Sequence, residues 1–167
     1  MKKVLFLIAL SVCTSIFAAD EKNEEYKSIK QLKSAGFLKC SGRTQDAIKQ
    51  MYEEENFGYS TIFNNKNPDK RAATMLIAKS YSEAHSVTSI SATPSLSNGC
   101  DVVVTHIIPM PESCVKARED VFSETKFSGE IDGVPLYEGK NDKSFTLLLN
   151  QIKGTCIVVI SRTISFD

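Results

Sequence analysis

The sequence predicts an α+β protein built from two tandem units, each a helix laid on a four-stranded antiparallel sheet and stapled by a disulfide. Three observations predict it. Apolar residues recur at helical spacing in two central stretches, and each stretch is followed by short β-rich runs separated by turn residues. One cysteine stands near the start of each of these helices (Cys40, Cys114) and one at the start of each unit's last strand (Cys100, Cys156). Residue patterns also repeat at fixed offsets. Met51-Tyr52 and Phe57 match Val121-Phe122 and Phe127 at an offset of 70, and the run from Gly99 to Val104 matches the run from Thr155 to Ile160 at an offset of 56. The fall in offset means that the second unit is shorter by about fourteen residues, lost mainly from loops.

The chain opens with Met1-Lys2-Lys3, an almost wholly apolar run from Val4 to Val12, and a small-residue end at Ala18-Ala19. This is the pattern of a cleaved signal peptide over 1–19. The apolar run is too short for a bilayer span. Removing Lys2 and Lys3 leaves 18 basic against 20 acidic residues, so no basic excess draws the mature chain to nucleic acid or an anionic membrane. Periplasmic localisation, or secretion, is the expectation. An oxidising compartment makes two disulfides the natural use of the four remaining cysteines. The absence of Cys-x-x-Cys argues against zinc and thioredoxin-like chemistry.

Residues 20–39 form an N-terminal amphipathic segment, with Tyr26, Ile29 and Leu32 at helical spacing and Gly36 as a stop. The first unit occupies 40–109. Its helix is capped by Ser41 or Thr44, carries Ala47, Ile48, Met51 and Tyr52 on one face, and ends near Glu55. Glu53-Glu54-Glu55 sits at the wrong end of that helix for its dipole and reads as a solvated charge run. Strands are expected over 59–64, 72–80, 85–93 and 100–108, with turns at 65–69, 82–83 and 97–99. Pro109-Met110-Pro111 breaks the chain. The second unit, 110–167, starts its helix at Pro111 with Glu112 in the first turn and Cys114, Val115, Val121 and Phe122 on one stripe. Strands follow over 126–131, 134–138, 144–150 and 155–164.

The duplication selects one of three disulfide connectivities, Cys40–Cys100 with Cys114–Cys156, each tying a helix to its own unit's last strand. Cys100–Cys114 across the Pro-rich link is the competitor. Each staple is worth roughly 3–4 kcal/mol in the chain-entropy model, which matters for units with small cores. The last strands are apolar on both faces, so they are central or their outer face meets something. In architecture the arrangement resembles tandem-repeat secreted inhibitors such as the β-lactamase inhibitory protein. The resemblance carries over no functional residue, and that family's close-spaced cysteines are absent here.

Few residues suggest chemistry. Only two histidines are present and no tryptophan. No nucleophile elbow, P-loop or dinucleotide fingerprint occurs. His106 and Arg162 occupy equivalent places in the two units. Either they meet in a groove between the sheets as a binding site, or each lies where its strand leaves the core. Without catalytic motifs, the sequence favours an exported protein that binds a protein partner, inhibitor-like or immunity-like, with no catalysis, no cofactor and no metal. Its contact surface is expected on a sheet face or on the loops linking the units. The alternatives are an accessory subunit of an envelope assembly and a hydrolase with a site around His106.

Overall fold

The computed structural model describes residues 25–82, 84–95, 99–142 and 145–166. The expected signal peptide over 1–19, the centre of the 97–99 turn, Glu83 and Ser144 lie outside the described residues. Two helices come first, α1 (Lys27–Ser34) and α2 (Ser41–Met51), then β1 (Gly58–Ile62), a single 3-10 turn (Pro68–Lys70), β2 (Ala73–Ser80), β3 (His85–Pro94) and β4 (Cys100–Met110). The second half has α3 (Cys114–Asp120), β5 (Thr125–Ile131), β6 (Val134–Gly139), β7 (Phe145–Ile152) and β8 (Thr155–Phe166).

The strands form one antiparallel sheet of eight, ordered β1-β2-β3-β4-β8-β7-β6-β5. The expectation of two separate four-stranded sheets is therefore corrected. β4 and β8 would each be a bare edge of a four-stranded sheet, with unpaired backbone donors and acceptors. They pair instead along their full length, from Cys100 opposite Phe166 to Met110 opposite Cys156. This places the two strands that are apolar on both faces at the centre of the sheet.

One face carries the helices. α2 lies on β3 and β4, and α3 on β7 and β8. Beneath α1 and α2 lies the larger core, which includes Ile29, Phe37, Ile48, Met75, Ile90 and Val102. A smaller core under α3 holds Ala117, Leu147, Leu149, Cys156 and Val158. The disulfides are Cys40–Cys100 and Cys114–Cys156, with Cα atoms 5.6 and 4.8 Å apart, the pairing the repeat pointed to.

Three local expectations are corrected. Pro109 does not end β4, which runs on to Met110. Pairing of β3 with β4 stops at Val87–Ile107, so Pro109 faces a partner on one side only and its missing N–H orphans no acceptor there. α3 begins at Cys114 and not at Pro111. Its cap is Ser113, whose side chain accepts from the Lys116 N–H at 3.3 Å, and the Gln151 side-chain oxygen accepts from the Cys114 N–H at 2.7 Å. The expected stripe holds only in part: Cys114 and Phe122 pack on the core beside buried Ala117, while Val115 and Val121 are 68% and 56% exposed. Finally, α2 has no side-chain cap. Ser41 and Thr44 instead donate to Leu38 O and Cys40 O, and the Asp69 carboxylate accepts from the Leu38 and Lys39 N–H groups at 2.7 and 2.6 Å.

Candidate functional site

His106 and Arg162 both point to the helix-covered face, on adjacent strands. His106 stands opposite Ile160, and Arg162 stands opposite Val104, two pairs along the ladder. His106 is 7% exposed and its ring centroid lies 6.2 Å from that of Tyr52, just past the end of α2. Neither ring nitrogen has a hydrogen-bond partner, and the Ser86 hydroxyl nearby on β3 is also unpartnered. Burial pushes the imidazole pKa below its ordinary value of 6.5. Arg162 reaches solvent and pairs with Asp142 at 3.5 Å. The two side chains share no hydrogen bond. His106 thus has neither the orienting acceptor nor the hydroxyl partner that a hydrolytic base requires. His85, on the exposed side of β3, has its Nδ1 2.9 Å from the Ser80 hydroxyl.

An open hollow of about 310 Å³ lies beyond α3, beside Phe122 and Phe145. Its charged rim is paired within the chain, Lys140 with Glu124 and Asp142 with Arg162, so among the described residues no unpaired charge lines it. Among the described residues no group of three or more His, Cys, Asp or Glu could hold a metal ion. No described helix is long and apolar enough to cross a membrane.

The feature that sequence reasoning left unlocated is the uncovered face of the sheet. Strand alternation sends one residue in two to this side, and the register aligns them into rows that run across the strands. One row is Gly58–Ala78–Val87–Ile107–Val159–Leu148–Leu136–Gly129, crossing all eight strands without a charged or polar side chain. The next is Ser60–Leu76–Ser89–Thr105–Ser161–Thr146–Glu138–Lys126, mostly hydroxyl-bearing, with Thr105 and Ser161 hydroxyls 3.2 Å apart at its centre. A third runs Ile62–Thr74–Ser91–Val103–Thr163. Val87, Val103 and Ile107 are 43%, 42% and 39% exposed, high for β-branched aliphatics in the middle of a sheet. Across the three rows the charged residues are Glu138 and Lys126, opposite each other at one edge, whereas 24% of the whole chain is charged. The alternation was legible in β4 and β8; the rows needed the register of all eight strands.

The chain matches no protein-family model, no curated protein and no solved structure.

Proposed function

We propose that this chain is an exported protein that acts by holding a protein partner against the open face of its sheet, as an inhibitor or immunity protein does, without catalysis of its own. The uncharged rows across the eight strands carry this reading. Eight strands spaced about 4.8 Å apart span roughly 34 Å and two full rows cover about 13 Å along them, while the third row adds about 7 Å over five strands, so the face is on the order of 600 Å². That approaches the roughly 800 Å² per partner of a standard interface. Depletion of charge at the centre is what an interface core requires. The partner is therefore a folded protein with an uncharged, aliphatic contact surface; a charged one would lose its hydration here without gaining a counter-charge. The N-terminal pattern and the two disulfides support export to an oxidising compartment, the periplasm or beyond.

The two halves are further proposed to be duplicated units. The central ladder pairs 100–110 with 156–166, so both of its ends obey the sequence offset of 56, and its midpoint is the Thr105–Ser161 pair.

The test is capture of binders by tagged mature protein from periplasmic extract, run beside Ile107→Lys and, as a control on the outer side of α3, Lys116→Glu. One stoichiometric partner kept by the wild type and the control, and lost by Ile107→Lys with unchanged circular dichroism, is expected. Equal capture by Ile107→Lys removes the face from the reading. A concentration-dependent dimer in sedimentation, abolished by Ile107→Lys, would make the occupant a second copy and overturn the heterologous partner.

A further inference from the structure

His106 is buried where nothing satisfies it, and its surroundings are not uniformly tied down. It lies on β4 between the two cores: Val104 and Tyr52 belong to the one under α1 and α2, while Ile108 and Ile160 pack on the one under α3. Its cover is the Tyr52 ring, held by a 2.6 Å hydrogen bond between the Tyr52 and Thr88 hydroxyls. The Cys40–Cys100 disulfide pins the beginning of α2 to the beginning of β4. The other end of α2 has no covalent tie; hydrogen bonds hold it to α1, from the Tyr26 hydroxyl to Tyr52 O and Glu53 O and from the Lys27 and Ser28 N–H groups to the Glu55 carboxylate. We infer that His106 is an acid-released latch: its protonation favours swinging the end of α2 and the segment 52–57 off the sheet, opening the covered face between the two cores.

The physical basis is the cost of an imidazolium with no acceptor in an apolar seam. The groups around it offer no relief. From the end of α2 comes the neutral Tyr52 phenol, over whose ring the Lys79 ammonium of β2 stands at 5.2 Å. From β3 come the neutral hydroxyls of Thr88 and Ser86. From β8 come Ile160 and, two pairs along, Arg162, whose charge pairs with Asp142. The Lys79 ammonium opposes a further positive charge, and the Arg162–Asp142 pair leaves no free carboxylate to attract one. A conformation that lifts Tyr52 lets water reach the ring, so it takes up the proton more readily than the closed form does. Such local openings need less free energy than global unfolding.

Hydrogen exchange followed by mass spectrometry at pH 7.5 and pH 5.5, with rates normalised to intrinsic exchange, tests this on the full mature chain. An ordinary exposed imidazole is protonated about ten to one at pH 5.5, and burial holds the closed-form ring below that range, so protection over 45–57 should fall by up to about tenfold. Protection in β7 and β8 should hold. His106→Leu should abolish the pH effect, and His106→Gln serves the same purpose if the leucine variant does not fold. Unchanged protection over 45–57 in the wild type overturns the latch. So does an equal loss in the variants, which would assign the effect to another group, or a uniform loss over all strands, which would make it global unfolding.

Discussion

Glu55 shows how a single side chain acquires its role from a distant partner. Its carboxylate accepts from the Lys27 and Ser28 N–H groups at 2.6 and 2.7 Å, so it caps α1 from 27 residues away. Partial burial raises its pKa, but the two backbone N–H donors, aided by the Ser28 hydroxyl and Lys27, outweigh that and hold it below the ordinary 4.5. The reading of Glu53-Glu54-Glu55 as a solvated run is corrected at this residue. Glu55→Gln should cost about 1 kcal/mol in denaturant unfolding at pH 7. The sign follows from the lowered folded pKa. Its stabilisation is complete above 4.5 and is lost as pH falls through the folded value, so the variant's stability should depend less on pH below 4.5 than the wild type's. Tyr52→Phe removes the hydroxyl that satisfies buried Thr88 and should cost roughly 1–2 kcal/mol by the same measurement. A loss of only a few tenths would show that water replaces the phenol.

At the scale of elements, helices here are held by staples and borrowed caps more than by their own propensity. α3 has seven residues, too few to persist alone in water. It is fixed by the Cys114–Cys156 bridge, the Ser113 cap and the Gln151 acceptor. The two bridges span 60 and 42 residues, and closure entropy varies only logarithmically with length, so each should contribute about 4 kcal/mol. Replacing Cys114 and Cys156 by Ser should nonetheless be felt most under α3, where the core is small. The expected readout is preferential loss of exchange protection in β7 and α3, with β2 and β3 retained. Equal loss throughout would show that the two cores do not respond separately.

Across the whole molecule the β4–β8 ladder makes one sheet of two halves, and both cores share it. Thr105 is paired on both sides, opposite Ser89 and Ser161. A proline there removes a ladder N–H at the centre of the sheet, so Thr105→Pro should cost about 3 kcal/mol or more. The wild type should melt in a single calorimetric transition with equal van't Hoff and calorimetric enthalpies. Two resolved transitions would mean that the central ladder does not couple the halves.

The sequence by itself determined the element order, the cysteine pairing that the repeat favours and the two-faced apolar character of β4 and β8, because these are written in local signals: period-two alternation, turn residues and spacing that repeats. It also placed His106 and Arg162 at equivalent positions of the two units' last strands. Only the tertiary structure decided what their surroundings are. His106 is buried beside the Tyr52 ring, whereas Arg162 reaches solvent and pairs with Asp142. Helix boundaries moved where caps came from afar, as Glu55, Asp69 and Gln151 do for α1, the α1–α2 turn and α3. The merging of the sheets and the uncharged rows on the open face likewise arise from strand register, a relation among residues far apart in the chain that no local pattern encodes.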